Sequence, residues 1–138
     1  AEGDPEDYLA ETGDWIWIQL VSRDVRKASR FSQRVAEYAV TPNGQANGSD
    51  QYLLSSDGYA RAAVMAISPQ RQDITPSWIP SLRVNSVSAT IAKAVQLGGA
   101  VLVAPRPDLF AGRAAVISDP SGGAVGIMEW DEQPENAP

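Results

Sequence analysis

The order of strand-like and helix-like segments repeats along the chain, and this repeat limits the possible folds more than any other feature. Trp15 to Val21 is rich in aromatic and β-branched residues and reads as a strand with both faces partly buried. The period then changes. Asp24 suits a helix N-cap, and Val25, Ala28, Phe31 or Ser32, Val35 and Tyr38 recur at helical spacing, which leaves Arg26, Lys27, Arg30 and Arg34 outward. Thr41 to Asp50 is a polar loop dense in turn residues, with a short strand allowed near Tyr38 to Thr41. Gln51 to Ser56 and Tyr59 to Ile67 flank Asp57-Gly58, a strong hairpin signal. After a connector from Ser68 to Ser77, the order returns. Trp78 to Val84 is strand-like, Asn85 or Ser86 caps a helix through Leu97, and Gly98-Gly99 stops it. Strands follow at Ala100 to Ala104, Ala114 to Ser118 and Ala124 to Trp130, separated by a loop from Pro105 to Arg113 and a turn from Asp119 to Gly123. Each half therefore reads βαβββ. An offset of 62 residues places Trp17 on Ile79, Leu20 on Leu82, Asp24 on Ser86 and Val25 on Val87.

Composition removes several chemistries. The 138 residues include no cysteine and no histidine, so disulfides, thiolate nucleophiles, zinc fingers, His-based metal sites and Ser-His-Asp triads are excluded within this polypeptide. The longest apolar run, Ala62 to Ile67, is strand-sized and far short of a membrane span. The net charge of −6 hides an uneven distribution. Residues 1–14 and 129–138 hold ten acids and no base, whereas all eleven Lys and Arg fall in residues 15–128 against seven acids, leaving a body of +4. The expected organisation is an acidic flexible tail over 1–14, one domain over 15–130 with modules at about 15–67 and 78–130, and a second acidic tail over 131–138. The start at Ala1 gives an exported form if it reflects processing; otherwise a cytoplasmic location is the default.

The twofold βαβββ order resembles the vicinal oxygen chelate superfamily of glyoxalases, bleomycin-resistance proteins and extradiol dioxygenases. The resemblance covers nearly all of residues 15–130 and is most specific in the second half. There the Gly98-Gly99 stop, the strand leading to Pro105, the Gly112-Arg113 step and the Asp119-Pro120 turn with Gly122 look like the family's run of glycines, strands and turns. In the first half, Trp17 to Leu20 followed by Asp24, Ala28 and Phe31 is similar to one branch of the family, although Gln19 stands where that branch has Glu and Ser32 where it has Tyr. The resemblance implies an α+β fold in which two βαβββ modules form an open cup of mixed sheet with the helices outside.

In metal-dependent members, four inward positions on the first and last strands of the modules carry His, Glu or Gln ligands. Carried over singly, they fall on Trp17, near Ile79, on Gly126 and, by the 62-residue offset, on Val64. None of these side chains offers a lone pair to a divalent ion, so neither a metal nor any other cofactor is expected. Alternation places Trp15, Trp17 and Gln19 on one face of the first strand, Ile79, Ser81 and Arg83 on one face of the fifth, and Met128 and Trp130 beside Gly126 on the last. These eight residues are the candidate ligand-binding set, with the Trp rings as stacking walls, Gln19 orienting and Arg83 pairing an anion. Each also has a plain structural reading: core packing for the aromatics and Met128, and a strand-end Arg for Arg83. No catalytic residue is assigned, and Glu129 alternates away from the cup. The basic stripe on the first helix reads as a solvated face, with no nucleic-acid motif.

The expected function is metal-independent binding of a small apolar or aromatic molecule, leaning away from an enzyme. A metal-dependent glyoxalase- or dioxygenase-like enzyme and an interaction module of a tandem or dimeric protein are the alternatives. The expected partners are that small molecule and either a second copy or a second similar domain.

Overall fold

The computed structural model describes residues 11–130. Of the expected acidic tails, residues 1–10 and 131–138 lie outside the described residues. Residues 11–14 are described: Gly13 N–H donates to the Arg83 carbonyl and Arg83 N–H to the Asp14 carbonyl, both at 2.9 Å.

The chain divides into two compact units, Trp17–Pro80 and the residues from Ser81 onward together with those up to Ile16. In the first, β1 (Trp15–Ser22) leads into α1 (Val25–Ala36), β2 (Ala39–Ala46), β3 (Ser49–Ser56) and β4 (Tyr59–Ala66). The strand order is β2-β3-β4-β1, with β1 and β4 parallel and the remaining neighbours antiparallel. In the second, β5 (Ser77–Arg83, whose residues up to Pro80 belong to the first unit), α2 (Val87–Gln96), β6 (Ala100–Val103), β7 (Ala114–Ser118) and β8 (Ala124–Met128) repeat the pattern in the order β5-β8-β7-β6, and β5 and β8 are the parallel pair. The α+β class and the doubled βαβββ order thus match the reading of the sequence.

Local chemistry accounts for the boundaries. Asp24 Oδ1 accepts from the Lys27 N–H at 3.0 Å and starts α1, and Ser86 Oγ accepts from the Ala89 N–H at 3.1 Å and starts α2. Asp57 and Gly58 both hold positive φ, at 53° and 80°, as a tight hairpin requires. At Gly99 a Cβ would stand 2.4 Å from the Ser118 carbonyl oxygen, so only glycine lets the chain leave α2 this close to β7. In the Asp119 turn, Oδ1 accepts from Ser121 N–H (2.7 Å), Ser121 Oγ (2.6 Å) and Gly123 N–H (3.1 Å).

Two expectations are corrected. The segment read as a polar loop, Thr41 to Asp50, is largely strand: β2 runs to Ala46, and a second tight hairpin turns at Asn47 and Gly48, with φ of 56° and 78°. Pro42 and Gly44 fit because β2 is the last strand in its unit's order and its register breaks between Pro42 and Gln45, where ladder donors are not all required. Asn47 is further held by its Nδ2, which donates to the Ala66 carbonyl at 2.8 Å.

The second correction concerns α1. Its buried residues are Val25, Ser29 and Ser32, so of the alternatives Phe31 and Ser32 the serine faces the core, while Phe31 and Val35 are each 67% exposed. Val25 packs with Leu54, Ala62, Val64 and Ala66, with Ala28 and Leu20 at the margin. Small serines let the helix sit close to the sheet, and the larger side chains turn to its flank.

Candidate functional site

In the first unit, Ile18 and Leu20 pack on the core beneath α1. Alternation along β1 therefore sends Trp17 and Gln19 to the opposite sheet face, where Gln19 stands opposite Ala63 and Val21 opposite Met65. Trp17 is half-buried, and its Nε1 is buried with no hydrogen-bond acceptor among the described residues. An indole N–H without a partner is costly at about 1–3 kcal/mol. Ile79, also in this unit, is 8% exposed.

In the second unit, Val87, Ala115 and Ile127 form the core on the α2 side, with Ile91 and Ile117 against them. Alternation leaves Ser81, Arg83, Gly126 and Met128 on the other face, and the ladder sets Ser81 opposite Gly126 and Arg83 opposite Met128. Ser81 and Met128 are buried. Arg83 Nη2 donates to the Trp130 carbonyl at 3.2 Å, which joins the last described residue to the end of β5. Trp130 is 45% exposed and Trp15 63% exposed. The structure thus brings Ser81, Arg83, Met128 and Trp130 together at one end of the β5–β8 pair, and holds Trp17 and Gln19 on β1 of the first unit.

Glu129 points to the helix side, where its Oε2 accepts from the Val87 N–H at 2.8 Å and closes the first turn of α2. It serves as a cap.

The metal positions implied by the resemblance need one correction. Val64 is fully buried in the core under α1, so it cannot be the inward position of β4. The modules differ by one residue: Gln19 pairs with Ala63 where Ser81 pairs with Gly126, an offset of 62 on the first strands and 63 on the last. The inward residues of β4 are therefore Ala63 and Met65. The slip shows only in the ladder pairings, which residue order does not display. With Trp17, Ile79 and Gly126, these residues offer one soft thioether and no oxygen or nitrogen lone pair, and the oxygens on the same strand faces are those of Gln19 and Ser81. Among the described residues, no group of three or more Asp or Glu side chains converges as a metal site would.

Two mixed-sheet βαβββ units, each with a parallel outer pair and one helix on one face, define a glyoxalase-type fold. No family model matches the sequence. Among curated proteins, CFP32 of Mycobacterium bovis and of Mycobacterium tuberculosis, provisionally named a glyoxylase, is 30% identical over 116 residues, which are 82% of this chain and 44% of the relative. The chain thus spans less than half the length of the curated relatives it matches. Among solved structures, a hypothetical protein of Bacillus halodurans superposes with a TM-score of 0.62 at 14% identity, covering 89% of this chain and 98% of that one. The methylmalonyl-CoA epimerase of Mycobacterium tuberculosis follows with a TM-score of 0.60 at 15% identity, covering 96% and 99%. In sequence and in fold the chain is similar to proteins of the vicinal oxygen chelate superfamily.

Proposed function

We propose that the chain is a small-molecule-binding domain of the glyoxalase and bleomycin-resistance type that works without a metal ion. The observation that carries this reading is the buried Trp17 Nε1, a donor lacking an acceptor on the sheet face opposite α1. A ligand with an apolar or aromatic body and one carbonyl or carboxylate oxygen would satisfy that donor, with Gln19 as a second polar contact on the same strand face. The side chains at Trp17, Ile79, Gly126 and the β4 positions Ala63 and Met65 offer no oxygen or nitrogen lone pair, which supports binding without metal chemistry. The curated relatives' length supports a second similar domain or a second copy as the structural partner.

Thermal melts of chelator-stripped protein test the reading. An ion bound at about 100 times its dissociation constant adds about 2.7 kcal/mol, which for a domain of this size is about 5–10 °C. The expected result is no shift with nickel, manganese, zinc, iron(II) or magnesium, but a shift with one or more aromatic carbonyl or carboxylate compounds that Trp17→Phe removes. A rise in Tm with one ion would overturn metal independence and revive a glyoxalase- or dioxygenase-like enzyme.

A further inference from the structure

The flank of α1 in the Trp17–Pro80 unit is built unlike a solvated helix face. At 3.6 residues per turn, Phe31 and Val35 lie between the buried stripe of Val25, Ser29 and Ser32 and a stripe formed by Lys27, Arg30 and Arg34. Phe31 and Val35 form one lip of a groove of about 590 Å³ whose floor includes Leu20, Ala28 and Ser32, with Tyr38 and the 47%-exposed Trp78 also lining it. Ser32, buried at the floor, is small and leaves the hollow open. Helix residues 25–36 include four cations and no acid; the nearest acids, Asp24 and Glu37, stand at its two caps.

We infer that this groove docks an acidic amphipathic segment of a partner protein, whose apolar side chains fill the space between α1 and Trp78 while its carboxylates meet Lys27, Arg30 and Arg34. Helix-in-groove recognition lays the apolar face of an amphipathic segment into a concave apolar surface, and charge around it orients the partner; here Lys27 and the capping Asp24 line the groove, and Arg30 and Arg34 stand on the helix just beyond the Phe31–Val35 lip. Three other occupants fit less well. A second copy laid helix to helix would oppose four cations to four. A flat anionic lipid surface engages protruding apolar side chains rather than a hollow. A small molecule needs most of its surface enclosed, and lips that are themselves 67% exposed do not supply that.

The test is a selection of displayed helical peptides against the full chain. The inference, which is independent of the ligand site on the opposite sheet face, expects enriched peptides with apolar residues at i, i+3 or i+4 and i+7 and a net negative charge. Their affinity should fall at least tenfold against Phe31→Asp and against the Arg30→Glu/Arg34→Glu double variant, and should weaken as salt is added. Phe31 is mostly exposed, so Phe31→Asp is expected to melt like the parent; Val35→Asp is the second variant should it not. No enrichment, enrichment of neutral or basic peptides, or binding indifferent to Phe31→Asp and Val35→Asp would each overturn the inference. So would Phe31-dependent sedimentation with phosphatidylserine–phosphatidylcholine vesicles, or a dimer in light scattering that Phe31→Asp converts to monomer.

Discussion

At Arg71 and Asp73, two exposed side chains form a fork: Arg71 Nε and Nη2 each donate to one carboxylate oxygen at 2.9 Å. The hydrogen bond from Arg71, assisted by the residue's own backbone, pulls the Asp73 carboxyl down to about 2. Arg23 reaches the same connector, its Nη2 donating to the Arg71 and Ile74 carbonyls at 2.7 and 2.9 Å. A carboxyl whose folded value is depressed stabilises the fold above its unfolded value and loses that contribution as pH falls through the folded one. For Asp73 this window runs from about 3.8 down to about 2. Arg71→Ala is expected to return the Asp73 midpoint to the ordinary carboxylate range in an NMR titration; a midpoint left near 2 would assign the shift to the backbone instead. Ser68 to Ser77 reads from residue order as a connector and no more, because nothing in residue order shows which polar side chains of a loop converge.

At the level of the element, α1 shows how far periodicity reaches. Its start at Asp24 was legible, since the N-cap chemistry is local. Which stripe faces inward was only partly legible: helical spacing left Phe31 and Ser32 as alternatives beside Val25, Ala28 and Val35, and close approach to β3 and β4 chose the small Ser32 together with Ser29. Ser29 Oγ is buried without a hydrogen-bond partner among the described residues. Ser29→Ala removes that orphaned hydroxyl and raises helix propensity, so it is expected to stabilise by about 0.5–1 kcal/mol. Asp24→Ala in the same helix should cost about 1 kcal/mol. Paired denaturant melts check both signs, and a destabilised Ser29→Ala would mean that its hydroxyl is bonded in solution. The β2 strand makes the complementary point. Proline and glycine argued for a loop, but a strand at the end of the order with a break in register can absorb both.

For the whole molecule, the chain spans 44% of relatives long enough to hold a second such domain. A homodimer is the proposed way in which a single domain supplies that second copy. Light scattering is therefore expected to give twice the 14.7 kDa of one chain, and a monomer at high concentration would leave only the tandem arrangement. Residue order by itself determined the repeated order of strands and helices apart from the extent of β2, the helix caps, the Asp57-Gly58 turn and the lack of histidine and cysteine chemistry, because each depends on residues within a few positions of one another or on composition. The tertiary structure alone decided the one-residue slip that removes Val64 from the inward face, the rotation of α1 that exposes Phe31 and Val35, and the burial of the Trp17 N–H without an acceptor. Those outcomes depend on how closely one element approaches another, and that distance is set by side-chain volume and ladder register across the sheet rather than by local sequence.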